Sequence, residues 1–156
     1  MKVYSLYKEQ ILPIELEEAW KFFSNPANLN SITPDNLLFK IRSNVPRDGM
    51  YEGMMIEYQI KPILNIPVTW LTEITNVKTN HYFIDEQRIG PYAIWHHEHH
   101  FEIHEQGVKM IDKLLYVLPL GIIGELAHKL FVGKRIKEIF DFRYQKLSKL
   151  FPNNKP

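Results

Sequence analysis

Hydrophobic positions recur along this chain at two periods, and the change between them near residue 120 organises everything else. Lys2 to Leu12 alternates loosely in β-prone residues and stops at Pro13, which predicts a first strand. In the following IELEEAWKFFSNP, the apolar residues Leu16, Ala19, Trp20 and Phe23 recur at spacings of three and four, predicting a short helix closed by Asn25-Pro26. A further helical turn over Ala27 to Leu29 leads into LNSITP, Leu29 to Pro34, whose asparagine and proline mark a turn. Period two then returns from Leu37 to Leu118. It predicts six strands, Leu37–Asn44, Met54–Ile60, Val68–Val77, His81–Arg88, Tyr92–Glu105 and Val108–Leu118. The reversals between them are Asp48-Gly49, Asn76 to Asn80, Gly90-Pro91 and Gln106-Gly107. Past Pro119 and Gly121, the residues Leu126, Leu130, Phe131, Ile136, Ile139, Phe140, Arg143, Leu147 and Leu150 trace one face of a long helix ending near Phe151-Pro152. Consecutive strands with short reversals make an antiparallel meander, and the helix must cover one of its faces. The expectation is one α+β domain over residues 1–156, with a space between curved sheet and helix.

The segment WHHEHHF, Trp95 to Phe101, carries four of the seven histidines. Read as a strand, it sets Trp95, His97, His99, Phe101 and Ile103 on one face and His96, Glu98, His100, Glu102 and His104 on the other. The first set has apolar company and is the interior one; the second is a solvated face. A two-residue turn at Gln106-Gly107 pairs Glu105 with Val108, and so sets Ile103 opposite Met110, Phe101 opposite Asp112, His99 opposite Leu114, His97 opposite Tyr116 and Trp95 opposite Leu118. A one-residue slip would expose Met110, Leu114 and Leu118. Asp112 then points inward, diagonal to His99. His97, His99, Asp112 and Tyr116 thus form a polar group on an apolar wall. Burying such groups unpaired costs a few kcal/mol each, so they satisfy one another, meet water or meet a ligand. An H-x-H pair with one carboxylate is also a zinc geometry, but no fourth ligand or surrounding shell is readable, so neither metal nor other cofactor is expected.

Composition narrows the partners. The net charge is +1, and the basic residues Lys129, Lys134, Arg135, Lys137, Lys146 and Lys149 are diluted by Glu125, Glu138 and Asp141, so no nucleic-acid surface is expected. There is no cysteine, which removes disulfides and thiolate chemistry. The apolar run Leu114 to Gly124 is about half the roughly 20 residues a spanning helix needs, so no stable membrane insertion is expected. MKVYSLYKEQ is not a secretory leader, which places the expected location in the cytoplasm. Nothing in the chain sets an oligomeric state.

GPYAIWHHEHHF followed by DKLLYVLPLGIIG resembles the SRPBCC group, the START and Bet v 1-like superfamily that includes polyketide cyclase/dehydrase-like proteins. ILPIELEEAWKFFSNPANLNSITP resembles its opening strand and helix pair, and LFVGKRIKEIFDFR its closing helix. The resemblance implies a helix-grip fold around a deep apolar cavity that takes lipids, polyketides or similar molecules. It implies no shared catalytic residues. By the same alternation Phe83, Asp85 and Gln87 face that cavity, and a three-residue reversal at Gly90 to Tyr92 sets Asp85 opposite His97, whereas a two-residue one does not. Tyr58 and Trp70 match the apolar wall, beside Trp95 and Phe101. Three functions follow from this reading. The first is binding of a small hydrophobic molecule whose polar end meets the His/Asp cluster. The second is a cyclase or dehydratase using His97 or His99 with Asp112 as acid and base and Tyr116 as a donor to developing charge. The third is an interaction module whose cavity is filled by side chains.

Overall fold

The structure is a computed structural model and describes residues 1–46, 49–61 and 66–153. Strand β1 (Val3–Leu12) is followed by helix α1 (Leu16–Phe23) and two 3-10 segments, Pro26–Ile32 and Asp35–Leu37. Then come β2 (Lys40–Ile41), β3 (Met54–Ile60), β4 (Val68–Lys78), β5 (Tyr82–Ile89), β6 (Ile94–His104) and β7 (Gly107–Val117). A continuous C-terminal helical stretch closes the fold: α2 (Ile122–Ala127), a π turn (His128–Val132) and α3 (Gly133–Leu150). The seven strands form one antiparallel sheet in the order β1-β7-β6-β5-β4-β3-β2, so the first strand pairs with the last and the rest is a meander.

Inward residues alternate cleanly along β3, in Met54, Ile56, Tyr58 and Ile60, whereas two register shifts interrupt the pairing of β4 with β5. The α1 face packs over one end of the sheet, where Trp20 meets Phe83 and Phe101 edge to face and Phe23 lies against Phe101. The inner face of α3 covers the other end with Ile136 and Phe140, joined by Val132 of the π turn, against Leu114 and Tyr116. Side chains also tie α3 to β1: Lys8 pairs with Asp141, and the Gln10 amide donates to the Tyr144 carbonyl at 3.1 Å and to Ser148 Oγ at 2.9 Å. Among the described residues no helix is long and apolar enough to cross a membrane.

Four expectations are corrected. The strand predicted at Leu37–Asn44 shrinks to Lys40–Ile41, because Asp35–Leu37 coils as a 3-10 turn and Leu38 takes a left-handed φ of 46°. Beyond Ile41, Ser43 Oγ accepts the Glu57 N–H in place of a ladder carbonyl. The reversal expected at Asp48-Gly49 falls on Asp48, outside the described residues.

The β6–β7 turn is Glu105-Gln106, with His104 opposite Gly107, so every pairing moves by two residues. A primed two-residue turn at Gln106-Gly107 needs positive φ at Gln106, which Gln106 avoids; Gly107 alone takes the positive φ, 133°. That position also admits no side chain, since a Cβ there would lie 2.1 Å from the Leu12 carbonyl oxygen. A shift of two preserves which face each residue occupies. Phe101 therefore faces Met110, His99 faces Asp112, His97 faces Leu114 and Trp95 faces Tyr116. Ile103, expected inside, lies beyond the covered area and is 82% exposed.

The C-terminal helix presents Val132, Ile136, Phe140, Arg143 and Leu147 inward, while Leu126, Leu130, Phe131 and Leu150 are exposed. Leu126 precedes the π turn at His128–Val132, and Leu130 and Phe131 lie within it, where the extra residue per turn breaks the helical phase, while Leu150 is the last residue of α3.

Candidate functional site

The inward residues of β5, β6 and β7 bring two imidazoles and two carboxylates together. Asp85 on β5 is directly across from His97 on β6, and Asp112 on β7 is directly across from His99. The three-residue reversal Gly90 to Tyr92 sets the first pairing. It is held by the Gln87 side chain, whose amide donates to the Tyr92 carbonyl at 2.7 Å and whose oxygen accepts the Tyr92 N–H at 3.2 Å. Gly90 leaves room for this fold-back, as a Cβ there would lie 2.2 Å from Gln87 Oε1.

Each hydrogen bond of good alignment runs diagonally. His97 Nε2 meets Asp112 Oδ1 at 2.9 Å, and His99 Nε2 meets Asp85 Oδ2 at 3.0 Å. The direct neighbours complete a closed alternation, with His97 Nδ1 at 3.4 Å from Asp85 Oδ2 and His99 Nδ1 at 3.0 Å from Asp112 Oδ1. The last is close but misaligned: His99 Nδ1 is buried without a well-directed hydrogen-bond partner among the described residues. From α3, Arg143 places its guanidinium over the Phe140 ring and 3.5 Å from Asp112 Oδ1. His97, His99, Asp112 and Arg143 are all buried.

Burial alone would raise both carboxyl pKa values. For Asp85 the hydrogen bonds and charge of His97, then those of His99, outweigh it and hold the group well below the usual carboxylate range. For Asp112 the bonds from His97 and His99 and the charge of Arg143 do the same. His97 shows the converse: desolvation pulls it down, but Asp112 and then Asp85 win and raise it. His97 and Arg143 thus lie against the carboxylate pair, His97 between Asp85 and Asp112 and Arg143 beside Asp112. Nearby, burial and then the Asp85 charge push the Tyr58 phenol up, so it stays neutral.

Above this cluster, between sheet and α3, lies a partly open cavity of about 180 Å³. Tyr58, Trp70, Phe83, Asp85, Trp95, His97 and His99 line it, as their alternation predicted. Its roof is Ile136, Ile139 and Phe140 of α3, and Leu29, Ile32 and Thr33 of the LNSITP segment border it. Four candidates are elsewhere. Gln87 is spent on the Gly90 reversal, and Phe101 packs in the core under α1. Asp112 sits behind the histidines, below the cavity wall, next to Arg143. The Tyr116 hydroxyl and His128 Nε2 share a hydrogen bond at 2.7 Å. Burial, then Tyr4, pushes that phenol up to about 12, while burial and then the Lys2 charge pull His128, stacked on Tyr4, down. The expected role of Tyr116 as a donor toward the cavity is thereby corrected. Neither Arg143 nor His128 was assigned to the site from sequence. Arg143 had a signal, a cation three residues after Phe140 and four before Leu147 on the inward stripe.

A long helix held across a seven-stranded antiparallel sheet over such a cavity is the helix-grip, Bet v 1-like fold. Solved structures share it at low sequence identity. Protein CV1439 from Chromobacterium violaceum superposes with a TM-score of 0.71 at 9% identity, covering 94% of this chain and 96% of that one. TTHA0849 from Thermus thermophilus gives 0.65 at 19% identity, over 94% and 95% of the two chains. Ginseng major latex-like protein 151 from Panax ginseng gives 0.68 at 9% identity, over 96% and 97%. No protein-family model matches the chain, and no curated protein matches its sequence.

Proposed function

We propose that the protein binds a small, largely apolar molecule in the cavity beneath α3 and orients its polar end against Asp85, His97 and His99. The observation that supports this reading is a space walled by Trp70, Trp95, Phe83 and Ile74, with Asp85, His97 and His99 on its floor and Arg135 and Arg143 reaching it from α3. The volume sets the scale. A dry cavity of about 150 Å³ holds a benzene ring, so about 180 Å³ suits a one-ring or compact two-ring guest, and a sterol needs the walls to move. Burying about 150 Å² of aromatic surface at about 25 cal/mol per Å² contributes roughly 4 kcal/mol, more than a typical hydrogen bond. Apolar contact then supplies affinity, and the cluster supplies orientation.

The side chains do not fill the space, which weighs against a purely structural interaction module. Acid and base catalysis is less well supported. Both His97 nitrogens face carboxylates, at 3.4 and 2.9 Å, and Tyr116 is bonded to His128 instead of facing the cavity. The cytoplasm is the location this reading assumes. Mass spectrometry of freshly purified protein, native and then denatured, tests the proposal together with a panel of one- to three-ring apolar probes. A co-purified compound, or a probe bound one to one and lost in Thr72→Trp, is the expected result. Wild-type protein that yields no compound and binds no probe would overturn it.

A further inference from the structure

We infer that Asp85, His97 and His99 form a binding site for one divalent first-row transition-metal ion at the cavity floor. One ligand atom from each lies within 4.8 Å of the other two. The Asp85 oxygen is 3.0 Å from His99 Nε2 and 3.4 Å from His97 Nδ1. Bonds of about 2.1 Å at tetrahedral or octahedral angles place neighbouring donors about 3.0–3.4 Å apart, so both measured edges already fit. All three residues line the cavity.

The far side of each ring is equally informative. His97 turns Nε2 to Asp112, and His99 turns Nδ1 to the same oxygen. Asp112 is buried behind the triad and is itself paired with Arg143. A carboxylate behind a ligating histidine fixes its tautomer and raises its basicity, and here one carboxylate serves both rings. An ion held by the cavity-side atoms His97 Nδ1, His99 Nε2 and Asp85 Oδ2 leaves the far-side nitrogens facing Asp112.

Two nitrogens and one carboxylate oxygen suit zinc, cobalt or ferrous iron, and three protein ligands leave coordination positions open toward the cavity. The metal alone is the probe, so its binding is read independently of the proposed guest. Chelator-treated full-length protein is titrated with Co²⁺ by absorption and with Zn²⁺ by calorimetry, and histidine ring nitrogens are followed by NMR. One ion per chain is expected, shifting Nδ1 of His97 and Nε2 of His99 and leaving the rings of His96, His100 and His104 unmoved. His99→Gln and Asp85→Asn weaken binding more than about 100-fold, and a His96→Gln/His100→Gln variant does not. If the first two variants fail to fold, the wild-type ring shifts decide alone. No tight ion, or an ion reported by His96 and His100, overturns the inference.

Discussion

His99 and Asp112 face each other directly across β6 and β7, 3.0 Å apart at their nearest atoms, yet the well-aligned bond of Asp112 is the diagonal one to His97. Asp112 therefore serves three cations or potential cations at once: His97, His99 and Arg143. Replacing it with asparagine leaves Arg143 and the imidazoles facing an uncharged amide in a buried place. Asp112→Asn is expected to destabilise the protein by about 3–5 kcal/mol in urea unfolding, and adding Arg143→Met should recover part of that loss. A loss below about 1 kcal/mol would show that the cluster is better solvated than its burial implies.

The same cluster sets a pH window, measured with chelator present. Asp85 and Asp112 are depressed, so their contribution is complete above their unfolded pKa near 4 and is lost as pH falls through the folded values. His97 is raised, so its contribution is complete below its unfolded pKa of about 6.5 and is lost as pH rises through the folded value. Unfolding free energy should therefore be highest between about pH 4 and 6.5 and fall on both sides. In His97→Gln the alkaline fall should be smaller.

The π turn fixes the phase of the helix that follows it. Ile136→Ala and Phe140→Ala remove buried contacts and should cost about 2–5 kcal/mol, whereas Leu130→Ser, at a residue 67% exposed, should stay within about 0.5 kcal/mol. A large effect at Leu130 would mean that the apolar stripe runs straight through residues 126–131.

Two glycines separate backbone strain from collision. Gly53 takes φ +82° with open space around it, while Gly107 takes φ +133° against the Leu12 carbonyl. Gly53→Ala should cost about 1 kcal/mol. Gly107→Ala should cost at least twice that, read as a lower melting temperature, because the chain around Leu12 must shift to admit the methyl group.

What could be read from the chain followed from parity. Alternation put His97 and His99 inward and His96 and His100 outward without knowledge of the register, and a register error of two residues left those faces intact. Partner identity was not protected in that way. Pairing Asp112 with His99 required the turn conformation at Glu105-Gln106, which depends on where the chain accepts positive φ. The inward face of Asp85 followed from alternation, but its pairing with His97 stayed open, since Gly90-Pro91-Tyr92 admits a two-residue as well as a three-residue reversal. The cavity volume and the phase of the C-terminal helix were not legible, since both depend on how α3 settles on the sheet after one extra residue in the π turn.

Arg143, Lys8 and Gln10 moor the helix to the β1–β7 margin through Asp112, Asp141, Tyr144 and Ser148. Along the opposite margin α3 meets short coiled segments, where Arg135 donates to Asn36 at 3.0 Å. The barrier to entry is therefore lopsided. Swinging the moored side outward would strip counter-charges from an ionic knot, whereas parting the Asn36 side breaks a surface-level link, so for the guest proposed above we propose entry past the Leu29–Leu37 flank.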